Sequence, residues 1–285
     1  MRPVWALPLL LLFLGACTES RAPSDHVSTV TRIVTLAPSL TELVYAAGAG
    51  EHLVGVSAYS DFPAAALELP VVGDAFMIDQ EQLAILQPDL LLIWQGGSPA
   101  HVVDNLREMG YNVEVIRTNS LNDVSAAISR IGELTDKADS AGLAVREYEQ
   151  GLAAIAARAG TQDDIRVFYQ VSARPLYTIS GDHYVSELIS MCGGHNVFSD
   201  LQELAPTVDV EAVVERDPEV MLASTDAGDH AFTEWERWPD LAANRFGNHF
   251  RMPADAIGRA TPRLVQAGEA VCAALDEARR RRLGN

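Results

Sequence analysis

Two glutamates 130 positions apart stand in the same phrase. Glu81-Gln-Leu-Ala-Ile-Leu-Gln-Pro88-Asp leads into an apolar run, and Glu211-Ala-Val-Val-Glu-Arg-Asp-Pro218-Glu repeats the outline. The chemistry open to two such carboxylates on a surface is charge-assisted pairing with basic groups of a partner. Each acid also suits the positive end of a helix, so ordinary helix-to-strand wording would produce the same phrase. If the two are equivalent points on two similar lobes, a partner with twofold pseudo-symmetry could grip both.

The second chemical signal is aromatic. Tyr59, Phe62, Phe76 and Trp94 fall in loops, or at strand ends that feed loops, of the first half, and Tyr177, Trp235 and Trp238 hold similar places in the second. Open α/β sheets bind ligands beyond the carboxyl ends of their strands. Facing lobes would therefore gather these rings into a cleft with few charges, suited to a large, mostly planar, amide- or ring-bearing ligand. Any one of the rings could instead be core.

Catalytic signatures are missing from the sequence. It holds no Gly-x-Ser-x-Gly elbow, no phosphate-cradling glycine loop and no His-Glu-x-x-His. The seven histidines, His26, His52, His101, His183, His195, His230 and His249, share no ligand spacing on one element, so no metal site is expected. The expectation is a binding protein and not an enzyme.

The elements that would position these residues alternate. Strands at 32–36, 53–57, 90–94 and 112–116 are interleaved with helices in the first half. The expected helix starts are a capping box at Ser39-Leu-Thr-Glu42, an Asp79 cap before Glu81, and a Ser98 cap with Pro99 in the first helical position. A long helix over 137–160 follows, rich in Ala, Leu and Glu. Strands at 165–171 and 220–224, another near Phe250, and helices at 184–192 and 261–281 make up the second half. This pattern gives two Rossmann-like α/β lobes with mainly parallel sheets, at 31–136 and 161–285, joined by one stiff helix. Large domain closure is not expected.

The N-terminal segment has its own chemistry. Arg2 precedes the apolar stretch 7–14, which is too short to span a bilayer, and Leu14-Gly15-Ala16-Cys17 follows. That is the form of an export signal over 1–16, and Leu-Gly-Ala-Cys resembles the bacterial lipobox, in which Cys17 becomes a lipidated first residue. A plain signal peptide with an incidental Cys17 is the alternative. Residues 17–30 then form a polar tether. With Cys17 given to lipid, Cys192 and Cys272 remain as a pair in an oxidising compartment, or as two buried thiols.

The chain carries 39 acids against 21 bases, a formal charge of −18. That disfavours nucleic acid and polybasic membrane attachment. The basic run at 279–282 suits the negative end of its helix, and nothing more is expected of it.

Three phrases of the first half carry a family resemblance: Arg32-Ile-Val-Thr-Leu-Ala-Pro-Ser-Leu-Thr-Glu42, Val54-Gly-Val-Ser-Ala-Tyr-Ser-Asp-Phe-Pro63 and Gln87-Pro-Asp-Leu-Leu-Leu-Ile-Trp-Gln-Gly-Gly97. With Leu188-Ile-Ser-Met-Cys-Gly-Gly-His-Asn-Val-Phe198 and Arg259-Ala-Thr-Pro-Arg263, the chain resembles the cobalamin (vitamin B12)-binding proteins of bacterial ABC importers, collinearly over 31–276. These are class III solute-binding proteins with a rigid inter-lobe helix. The resemblance implies corrinoid contacts at Tyr59, Phe76, Trp94, Tyr177, Asp255 and Arg259, and docking of Glu81 and Glu211 on arginines of the permease, one glutamate per lobe. It pairs Cys192 with Cys272.

The implied partners are a corrinoid as transported ligand, an ABC permease dimer with its ATPase subunits, and a membrane reached through lipidated Cys17. The protein itself would be a periplasmic monomer without a cofactor. Departures lie at Ala75-Phe76, Ala205, Ala256 and Ile257, where the resemblance leads one to expect further aromatic residues. The cleft should be correspondingly less aromatic. The rival of the same class is a haem or siderophore-binding protein of an ABC importer. Rivals from other classes are an envelope hydrolase and a metal-binding lipoprotein.

Overall fold

The computed structural model describes residues 30–74, 77–159 and 163–284. Phe76 and Cys17, with the signal and most of the tether, lie outside them. The first sheet contains β1 (Ile33–Thr35), β2 (Leu53–Gly55), β3 (Leu90–Trp94) and β4 (Val113–Ile116), all parallel, in the order β2-β1-β3-β4. Its helices are α1 (Pro38–Ala46), α2 (Gln80–Leu86), α3 (Ala100–Glu108) and α4 (Leu121–Leu134), after which α5 (Ala138–Ala159) crosses to the second sheet.

The second half adds β5 (Ile165–Gln170), the short hairpin β6 (Ser172–Ala173) and β7 (Leu176–Tyr177), α6 (Tyr184–Met191) and β8 (Gly194–Asn196). It continues through α7 (Val210–Arg216), β9 (Val220–Ser224), α8 (Ala242–Phe246), β10 (His249–Met252), α9 (Ala254–Ile257) and α10 (Leu264–Gly284). The main sheet is again all parallel, in the order β10-β9-β5-β8. Read from its other edge, this is the first sheet's order, with β5 in the place of β1 and β9 in the place of β3.

The repeated phrase has a structural cause in both sheets. Asp79 and Asp209 precede α2 and α7, and the helices end in left-handed residues, Gln87 at φ 47° and Asp217 at φ 43°. The acid after each proline then receives the backbone N–H that opens the neighbouring strand. Arg32 N–H donates to Asp89 Oδ1 at 3.0 Å, and Arg166 N–H to Glu219 Oε2 at 3.1 Å. The same two arginines cap the spent helices, Arg32 Nε donating to the Gln87 carbonyl and Arg166 Nε to that of Asp217. A guanidinium at a helix C-terminus satisfies orphan carbonyls and meets the favourable end of the dipole.

Not every expected cap forms. Ser39 to Glu42 make no capping box: Pro38 starts α1, and no side chain caps it. Glu42 is spent elsewhere, on two arginines of the second lobe. Pro99, not Ser98, takes the N-cap position of α3. The basic run of the last helix also does more than answer a dipole. Arg279 is buried and donates to the carbonyls of Cys192, Gly193 and Asp163, while Arg282 pairs with Asp163 and Glu219. These contacts fasten α10 to the end of α6 and to the start of β5. The Cys192–Cys272 disulfide fastens the same two helices.

A continuous core runs through both lobes. It includes Leu40 and Leu43 of α1, Val124 and Ile128 of α4, Tyr148 and Ile155 of α5, and Leu188 and Val271 of the second lobe. Helix α5 therefore packs on both sheets' helices. Gly151 lets α5 approach α10 closely, since a Cβ there would lie 2.8 Å and 2.9 Å from the two γ-carbons of Val265. Among the described residues no helix is long and apolar enough to cross a membrane.

Candidate functional site

The carboxyl ends of both sheets face one cavity of about 610 Å³. That size falls within the range of small-molecule sites, about 300–1,000 Å³. From the first lobe come Pro38 and Ser39 beyond β1, Trp94 and Gly96 beyond β3, and Thr118 and Asn119 beyond β4. The second lobe supplies Tyr169 and Val171, then His183 to Val185 at the start of α6, and Ile257 to Ala260 after α9.

Trp94 ends β3, and its ring lies against the turn that follows. A Cβ on Gly96 would meet the ring at 2.7 Å and one on Gly97 at 2.6 Å, so only glycines let the backbone pass under it. The indole Nε1 is buried without a partner among the described residues. Ring orientation is thus set by packing on the glycine turn, not by a hydrogen bond.

Arg259 lines the cleft and spans the lobes. Its Nη1 donates to Glu42 Oε1 at 2.9 Å and to Asp61 Oδ1 at 2.6 Å, and its Nη2 to the Tyr59 carbonyl at 3.1 Å. Arg263 reaches Glu42 Oε2 at 2.9 Å and lies over the Phe62 ring at 4.5 Å. Glu42 is the buried centre of this network, with its side chain 3% exposed. The guanidinium of Arg259 holds the Asp61 carboxyl below its ordinary range. Two arginines and two carboxylates face each other, so the wall they build carries no net charge.

Hydroxyls secure the same loop from inside. Thr41 donates to Ser60 Oγ at 3.0 Å, and Ser60 lies 3.2 Å from Ser57 Oγ. Tyr59 sits between these anchors at φ 65° and is 82% exposed. A tyrosine held in the left-handed region is uncommon, and here the surrounding contacts fix it. Two further pins close the floor: Tyr184 N–H donates to the Asn119 carbonyl at 2.6 Å, and Leu121 N–H to Glu187 Oε2 at 2.9 Å. Burial raises the Glu187 pKa.

The expected ligand residues are therefore divided. Trp94 and Arg259 line the cavity; Tyr59 does not, but its carbonyl accepts from Arg259. Tyr177 is exposed on β7, bridged to Thr207, and Asp255 is exposed in the first turn of α9; neither lines the cavity. Two aromatics expected in the cleft belong elsewhere. Trp235 is core, its ring 5.6 Å from Phe168 and its Nε1 donating to Gln170 Oε1 at 2.8 Å. Trp238 borders a separate depression with Asp217, Arg237 and Leu241.

Sequence reasoning had no means of choosing His183, which is one of seven scattered histidines. Ala205 and Ile257 do line the cavity, so the cleft is less aromatic at those two positions. No cluster suited to a metal ion occurs among the described residues. Glu81 and Glu211 are both exposed in the first turns of α2 and α7, matching points of the two like-ordered sheets.

Comparison with known proteins adds independent findings. Residues 33–256 match a family model described as periplasmic binding protein. A vitamin B12-binding protein of Vibrio parahaemolyticus is 34% identical over 277 residues, 96% of this chain and 97% of its own. One from Vibrio cholerae is 34% identical over 245 residues, 85% of this chain and 87% of its own. The crystal structure of the periplasmic vitamin B12 binding protein of Vibrio cholerae superposes with a TM-score of 0.79 at 34% identity, covering 88% of this chain and 98% of that one. A periplasmic haem binding protein of Vibrio cholerae superposes at 0.73 with 22% identity, covering 86% and 98%, and shares the fold.

Proposed function

The chain belongs to the periplasmic binding protein family, and we propose that it is the solute-binding component of an ABC importer that captures cobalamin or a related corrinoid between its lobes. It takes no part in chemistry: it hands the ligand unchanged to a permease dimer driven by ATPase subunits. The lobes are 31–136 and 161–285, joined by 137–160, and the protein works as a periplasmic monomer held to a membrane through lipidated Cys17. Glu81 and Glu211 dock one on each half of the permease. Trp94 and Arg259 contact the ligand from the cavity wall, and the family resemblance adds Tyr59, Phe76, Tyr177 and Asp255 as further contacts.

The observation that carries this reading is the neutrality of the cleft. Among the described lining residues Arg259 holds the one permanent charge, and Glu42 and Asp61 already answer it. Burial keeps His183 neutral, with a pKa of about 4, and raises those of Tyr169 and Tyr184. A desolvated anion would find no uncommitted cation here, and its burial would be costly. A corrin rim of neutral amides meets no such cost, whereas haem propionates and anionic siderophores do.

Titrating the mature protein with cyanocobalamin, haemin and ferric siderophores, followed by tryptophan quenching, tests the reading. Tight binding of cyanocobalamin alone is expected. Tighter binding of haemin or of a siderophore would overturn it.

A further inference from the structure

His183 lines the cleft from the second lobe, beside the seam where Tyr184 N–H meets the Asn119 carbonyl. It is the N-cap of α6, and its Nδ1 accepts the Val185 N–H at 3.1 Å. The ring is held against Tyr184, centroids 4.2 Å apart. A neutral imidazole has one N–H and one lone pair, and here the lone pair is spent on the cap. The proton is therefore on Nε2. That atom makes no hydrogen bond among the described residues and is not sealed from solvent, on a ring that lines the cavity. The cleft thus contains a fixed, uncharged donor whose tautomer is chosen by the helix behind it.

We infer that His183 is a specificity-determining residue whose Nε2–H donates to a neutral acceptor on the ligand rim, such as an amide carbonyl of a corrinoid, and whose locked tautomer keeps it from ligating the ligand's metal. The inference rests on the corrinoid reading above. Ligation would need a lone pair on Nε2, hence the proton on Nδ1, where it would point at the Val185 N–H and abolish the cap. The site would lose one hydrogen bond and bury two opposed donors to gain a metal bond. A donor aimed at the rim instead rejects ligands that offer nothing to accept from, because it would then be buried unpaired. Burial, which disfavours protonation, keeps the donor neutral at ordinary pH.

Asparagine separates the two roles. In His183→Asn the short side chain still caps α6, since asparagine is among the best N-cap residues, but its own N–H falls short of the position that Nε2–H reaches. The expected result is a thermal midpoint near wild type and a cyanocobalamin Kd raised about three- to tenfold, the scale of one neutral hydrogen bond. His183→Gln, whose amide N–H reaches farther, should recover part of the affinity. Unchanged affinity in a folded His183→Asn protein would overturn the donor role.

Aquacobalamin, whose upper water can be exchanged, tests the second half on the wild-type protein itself. Its visible spectrum should show no imidazole ligation on binding. A ligation shift present in wild type and absent in His183→Asn would overturn the tautomer argument. Failure of wild type to bind any corrinoid would refute the functional reading instead, so the two are distinguishable.

Discussion

Trp94 and His183 show how single side chains are fixed by what lies behind them. The indole rests on two glycines that leave no room for a Cβ, and the imidazole is fixed by the first turn of α6. Trp94→Ala should weaken cyanocobalamin binding by about 1–3 kcal/mol, the scale of a buried aromatic anchor. A titration matching wild type would remove Trp94 from the binding surface. His183 also predicts an acid response. An unfolded imidazole takes up its proton near the ordinary 6.5, whereas burial holds the folded value down to about 4. Between those values the unfolded chain binds the additional proton, so stability is complete above pH 6.5 and declines as pH falls towards 4. The largest loss is about 3 kcal/mol. Denaturant unfolding across this window should show a shallower decline for His183→Asn than for wild type, and equal slopes would contradict the assignment.

At the scale of elements, the two helix-to-strand units are the same device built twice. Each helix is short, ends in a left-handed residue, and hands its last carbonyl to the arginine at the start of the neighbouring strand. This explains the prolines, the acids after them and the arginines, but it makes no use of Glu81 or Glu211. Both stand exposed and form no ion pair among the described residues, so their removal should cost the fold only the dipole contribution, about 0.3–1 kcal/mol. Glu81→Ala with Glu211→Ala should leave cyanocobalamin affinity intact while lowering uptake in cells, the double variant most, because charge pairs across an interface govern register and association rate. Normal uptake by the double variant at wild-type expression would show that the carboxylates serve their helices alone.

Across the whole molecule, the lobes are pinned around the cleft and not hinged. Helix α5 packs on both sides, and the Glu42 network, the Leu121–Glu187 bond and the Tyr184–Asn119 bond tie one lobe to the other. A preformed cleft avoids the ordering cost that a flexible one would meet on binding. Glu42→Gln tests this arrangement. It leaves Arg263 without its buried carboxylate while Arg259 keeps Asp61, so a loss of about 3 kcal/mol is expected, the low end for breaking a buried pair. The denaturant midpoint should fall with an unchanged slope, and the loop over 58–63 should become open to proteases. A wild-type midpoint would mean that the network contributes nothing to joining the lobes.

The sequence by itself determined the alternation of strands and helices, the long connecting helix, the two like-built units and the placement of Trp94 at a strand end. Periodicity, proline and glycine act over a few residues, and those are the features that survive without tertiary contacts. Only the tertiary structure decided that Glu42 serves two arginines of the other lobe instead of capping its own helix. The same holds for Arg279 reaching the end of α6, for Trp235 filling the core while Trp94 faces the cleft, and for one histidine of seven becoming a cavity donor. In each case the partner is distant in the chain. A side chain's own type states what it can donate, accept or bury, but the folded neighbours settle which of these it does.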